Sequence, residues 1–102
     1  MNTIKLGHLV SITGGGTPDR SNPEFWGGDI PWATVKDIRT LEISATQEHI
    51  TEAGLKGSAA NVAAAGSIIV PTRMALGKVA INTVPLAINQ DLKALRVLDP
   101  KV

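Results

Sequence analysis

The sequence predicts an α+β fold: a small mixed or antiparallel sheet with one or two short helices and long loops. Three features carry that prediction. Short apolar runs rich in Ile and Val recur along the chain, separated by Gly, Pro and Asn, as in short strands joined by turns. One stretch, around 58–65, carries signals for both ends of a helix. One long segment, 13–29, is dominated by turn formers. The length of 102 residues suits one domain or part of one.

The elements follow in order. "IKLGHLVSI", residues 4–12, alternates loosely and is compatible with a short helix or a strand. "TGGGTPDRSNPEFWGGD", Thr13 to Asp29, reads as a loop, and structureless loops of that length are usually functional or disordered. "IPWATV", Ile30 to Val35, reads as a strand with Pro31 near its start, where a missing N–H is tolerated. "KDIRTLEI" begins with a candidate helical turn, and "EISATQEHIT" is a strand region. Ser58 as N-cap, the Ala-rich run and Gly66 near the far end predict a short helix at about 58–65. "SIIVPTR" is a buried strand ending near Pro71, "RMALG" a turn, and "GKVAINTV" the next strand. "LKALRVL", Leu92 to Leu98, is compatible with a strand or a short helix.

Composition narrows the function. With 43% hydrophobic and 19% charged residues, the chain can build a modest core of mainly Ala, Val, Ile and Leu. The absence of Cys excludes disulfides and thiolate metal sites and fits a reducing compartment. No apolar run reaches the roughly 18 residues of a membrane span, and the expected location is cytoplasmic. A net charge of +1 is too balanced for an indiscriminate nucleic-acid binder, but it allows a base-reading module with its basic residues on one side.

Enzymatic constellations are missing. Gly14-Gly15-Gly16-Thr17-Pro18 matches neither phosphate-binding glycine motif, and Pro18 removes one N–H that such a cradle would use. His8 and His49 lack the spacing and the partners of a metal site. Glu48 and His49, adjacent on a strand region, point to opposite faces. The basic residues are more informative. Arg20, Lys36, Arg73 and Lys78 lie in or beside loops and turns, and Asn89-Gln90 follows an apolar run. Arg reads guanine, and Asn or Gln reads adenine, through paired hydrogen bonds, while Lys holds phosphate. The competing view is that these are solvated loop residues, and that Asn89 and Gln90 bond a neighbouring loop.

The three aromatic residues, Phe25, Trp26 and Trp32, all fall within "EFWGGDIPWATVKDI". They suit a stacking platform for bases, or a clamp that holds the glycine loop onto the core. In the clamp, Trp26 and Trp32 are structural anchors, each burying about 150–250 Å².

Five segments in this order, "KLGHLVSITGGGTP", "FWGGDIPWATVKDI", "HITEAGLKGSAANV", "AGSIIVPTRMALGKVAI" and "AINQDLKAL", resemble the target recognition domain of type I restriction–modification specificity subunits. The likeness runs from about Lys5 to Leu95. It implies sequence-specific recognition of double-stranded DNA without catalysis and without a cofactor of the chain's own. Stacking suits unpaired bases, so on this resemblance to readers of duplex DNA the clamp is preferred for Trp26 and Trp32. It also implies methyltransferase (modification) subunits as partners and, through them, a motor and nuclease subunit. Thr17, Arg20, Lys36, Arg73, Lys78, Asn89 and Gln90 are the candidate DNA-binding residues. Gly16, Thr17, Pro18, Trp32 and Arg73 are typical of the family and are also candidates for scaffold. The family domain is longer and is followed by a spacer helix, so residues 1–102 are expected to be a single, partial domain. The alternative is a protein-interaction or decoy module that binds methyltransferase or specificity chains without reading DNA.

Overall fold

The computed structural model describes residues 10–72 and 79–97. They form two small mixed sheets, one short α-helix and two 3-10 turns.

In the five-stranded sheet, the order is β1 (Val10–Gly14), β9 (Leu92–Val97), β6 (Ile68–Pro71), β7 (Ala80–Asn82) and β3 (Glu42–Ile43). All its pairs are antiparallel except β3 with β7. The four-stranded sheet has the order β4 (Glu48–Ile50), β2 (Trp26–Ala33), β8 (Leu86–Ile88) and β5 (Asn61–Ala63). There β2 runs parallel to β8, and the other pairs are antiparallel. Strand β8 leads directly into β9 through Asn89-Gln90-Asp91, so one tight turn ties the two sheets together.

The core follows the two-residue period of the strands. Ala33, Leu86 and Ile88 face a cluster with Ile38, Ile43, Ala63, Ile69, Ala80, Leu92 and Ala94. Trp32 and Ala87, from the same strands, face the other way, toward Ile50 and Ala60. Strand β8 is buried at all three positions, which is why "LAI" reads as an unbroken apolar run and not as an alternating one.

Several expectations change. The helix predicted at 58–65 is absent. The α-helix, α1, is Glu52–Lys56, capped by the Thr51 side chain, which accepts from the Gly54 amide at 3.0 Å. Ser58 instead closes α1: its hydroxyl donates to the Gly54 carbonyl at 2.8 Å. Residues 61–63 pair with β8 as a strand. Ala propensity is a weak preference, and here pairing with a buried strand overrides it. Gly66 has φ +88° but sits in the turn between β5 and β6, not at a helix end.

The 13–29 segment is less irregular than its composition implies. Residues 10–14 form β1, Pro23–Phe25 a 3-10 turn capped by Asn22, and β2 begins at Trp26. The strand predicted over 30–35 thus starts earlier and ends at Ala33, followed by a 3-10 turn at Val35–Asp37. The "LKALRVL" segment is a strand over Leu92–Val97. The "RMALG" turn and most of residues 4–12 lie outside the described residues.

Candidate nucleic-acid interface

A bulge explains the clustered aromatics. Trp26 and Ile30 both align with Ile50 of β4, so Gly27, Gly28 and Asp29 are looped out. Gly27 adopts φ +81°, a conformation that favours glycine. In an unbroken strand, six residues would separate two side chains by about 20 Å. The bulge brings the rings of Trp26 and Trp32 to 5.1 Å between centroids, edge to face at 89°.

Both indoles bond the loop that precedes them. Trp32 Nε1 donates to the Gly16 carbonyl at 3.0 Å, and Trp26 Nε1 donates to the Asp19 carbonyl at 3.0 Å. Trp32 is 1% exposed and Trp26 is half-buried. The glycine run is fitted against β8 and its turn. The Gly16 amide donates to the Ile88 carbonyl at 3.1 Å, and a Cβ on Gly15 would lie 2.1 Å from that same oxygen.

Above this platform lies Arg20. Its guanidinium carbon is 4.3 Å from the Trp26 ring centroid and 5.1 Å from that of Trp32. Its Nη1 and Nη2 donate to the two carboxylate oxygens of Glu48, at 2.6 and 3.3 Å. Glu48 stands opposite Trp32 in the β2–β4 register. The preceding Asp19 anchors the loop: the Ser21 hydroxyl and amide donate to its carboxylate and hold it below the usual Asp range.

An open cleft of about 380 Å³ begins here. It is lined by Arg20, Glu48 and Trp32, by Thr34, Val35 and Lys36, and by Thr17 and the 89–91 turn. Five of the seven residues singled out in the sequence, Thr17, Arg20, Lys36, Asn89 and Gln90, therefore share one cleft. Arg73 and Lys78 lie outside the described residues. Within the cleft, Thr17 donates its hydroxyl to Gln90 Oε1. Lys36 and Gln90 are exposed, whereas Asn89 is buried and accepts the Asp91 amide at 3.0 Å, closing the turn.

Sequence reasoning missed two residues that shape this site. Asp37 is buried and holds two segments: it accepts the Thr34 amide at 2.8 Å and the Gln47 amide at 3.0 Å. The Thr34-x-x-Asp37 spacing was its available signal, a capping box. Glu48 was weighed only beside His49; its partner Arg20 is 28 residues away, and no local pattern links them. Among the described residues, no group of His, Cys, Asp and Glu could hold a metal ion, and no helix is long and apolar enough to cross a membrane.

Comparison with known proteins follows the same direction. The family described as type I restriction modification DNA specificity domain matches residues 1–102. The type I restriction enzyme MjaIX specificity subunit of Methanocaldococcus jannaschii is 37% identical over 92 residues, covering 87% of this chain and 21% of that protein. The EcoR124I/EcoR124II specificity subunit of Escherichia coli is 37% identical over 95 residues, covering 88% and 24%. The chain thus spans about a quarter or less of the length of these relatives. In fold it is similar to the HsdS subunit from Thermoanaerobacter tengcongensis, with TM-score 0.65 and 22% identity over 92% of this chain and 23% of that one. A chain from a structure describing assembly and conformational transition of a type I restriction–modification system gives TM-score 0.73 and 24% identity, over 94% and 23%. This chain belongs to the type I restriction–modification DNA specificity domain family.

Proposed function

We propose that the chain reads duplex DNA as part of the target recognition domain of a type I restriction–modification specificity subunit and carries out no chemistry itself. The observation that carries this reading is the cleft. It gathers a cation on an aromatic platform, a second exposed cation and an exposed amide from three separate loops on a rigid two-sheet scaffold. Arg and Gln are the side chains that pair with base edges, and Lys suits phosphate. Loops on a fixed framework are where binding residues are usually placed. Arg73 and Lys78 belong to the proposed set by sequence alone.

The proposed partners are methyltransferase subunits and, through them, the motor and nuclease subunit. The proposed location is the cytoplasm, with the DNA. The relatives named as specificity subunits support both.

The test is binding to a randomised duplex pool across a salt series, with methyltransferase subunits supplied. The expected result is binding that weakens as salt rises, as phosphate contacts require. No binding even at low salt would overturn the proposal.

One observation favours the rival reading of a protein-docking or decoy module. Two cations, Arg20 and Lys36, and two carboxylates, Glu48 and Asp91, line the cleft, so it offers no net positive field. Capture of a methyltransferase subunit without DNA, together with no binding to the duplex pool, would select that reading.

A further inference from the structure

The charge balance of the cleft has a specific source. The Arg20 fork is bound end-on by both Glu48 oxygens. The carboxylate belongs to a partly exposed side chain whose backbone is held in place. Thr46 Oγ1 accepts the Trp32 amide at 3.2 Å and donates to the Glu48 carbonyl at 2.7 Å, which fixes the Glu48 backbone against the platform strand. Arg20 in turn rests on both indole rings. The anion and the platform thus belong to one patch of the β2–β4 ladder, and the cation reaches it from the preceding loop.

We propose that Glu48 is a specificity-determining residue: by occupying the Arg20 fork it keeps that cation from binding phosphate indiscriminately, and leaves it to read bases. The inference rests on the DNA-reading function proposed above. The chemistry is as follows. A phosphate can take the fork only by displacing another anion, so the exchange yields little net charge neutralisation. A guanidinium has five N–H donors, and Glu48 uses two. The paired side chains therefore keep donors for a base edge, and a carboxylate can also accept from the amino group of cytosine. Adding an element that penalises the wrong target is a general route to specificity.

The test measures binding of a fluorescent, randomised duplex pool against salt, for the full chain with methyltransferase subunits. Glu48→Gln is expected to bind the pool about two- to fivefold more tightly at low salt, the range set by an exposed ion pair. Its log–log salt slope should steepen by about 0.9, one further phosphate contact. Glu42→Gln, on an exposed position of β3 in the other sheet, removes the same charge and should leave the slope unchanged. In an Arg20→Gln background, Glu48→Gln should no longer alter the slope, because the effect passes through Arg20. An unchanged slope in Glu48→Gln, with wild-type binding intact, overturns this inference alone. So does a steeper slope that persists without Arg20, or a loss of pool binding coupled to lowered melting, which would make Glu48 scaffold. Absence of wild-type binding overturns the DNA-reading proposal, and this inference with it.

Discussion

Trp32 joins more of the molecule than any other aromatic residue in the described structure. Its ring is buried with Ile50, Ala60 and Ala87, its indole N–H holds the Gly16 carbonyl, and its face lies under Arg20. Truncation removes the packing and orphans a carbonyl. Trp32→Ala is expected to cost about 3–5 kcal/mol, read from the midpoint of chemical unfolding. Trp26→Ala, at a half-buried position, should cost less. A changed DNA preference with unchanged melting in Trp32→Ala would instead make that ring a reader. Asn82 has comparable reach among polar residues. Fully buried, it accepts the Ser67 amide at 2.9 Å and donates to the carbonyls of Ala64 and Val84, both at 2.9 Å. Nothing in "AINTV" distinguishes that hub from a solvated Asn, because Ser67 and Ala64, which bring it into the core with Val84, lie in the distant turn before β6.

Among the elements, the glycine run shows how a sequence signal can be sound in kind and incomplete in content. Composition marked Gly14 to Gly16 as irregular; Gly14 is still the last residue of β1, paired with Lys93, and residues 15–16 leave the strand and cross onto β8. What composition lacks is the contact. A Cβ on Gly15 would meet the backbone oxygens of Ile88 and Asn89 at 2.1 and 2.4 Å, and backbone cannot rotate away as a side chain can. Gly15→Ala is therefore expected to lower stability by about 3 kcal/mol and to disturb the 89–91 turn, visible as shifted amide resonances at Asn89 and Gln90. The failed helix at 58–65 has the converse origin. Its local signals were genuine, but residues 61–63 complete the edge of a sheet whose neighbour, β8, lies 23 or more residues further on. Strands β6 and β7 were legible because Ile and Val runs bounded by turn formers need no distant partner to be noticed, whereas the period of "LKALRVL" left strand and short helix open until pairing with β1 and β6 decided for β9. The candidate site was legible as a set of residue types in loops. Its geometry was not, since Arg20 meets Glu48 and Thr17 meets Gln90 only after the sheets have formed.

For the whole molecule, β8 is the axis. It is hydrogen-bonded on both sides, by β2 and β5, and its side chains enter both apolar clusters. Local opening that exposes it must break both sheets' packing, whereas β1, among the described residues, lies at a sheet edge and pairs as a strand with β9 alone. In native-state hydrogen exchange, the amides of Leu86 to Ile88 are expected to exchange at least about a hundredfold more slowly than those of β1. Equal rates would mean that the two sheets open independently.

The turn that follows β8 separates buried positions from an exposed one. Asn89 is committed inward, closing the turn against the Asp91 amide, and Leu92 begins the next strand fully buried. Gln90, between them, projects into the cleft from a backbone already held by its neighbours. A change of side chain there alters the chemical face of the cleft at the cost of the bond from Thr17, while Asn89 and Leu92 keep the backbone of the turn in place.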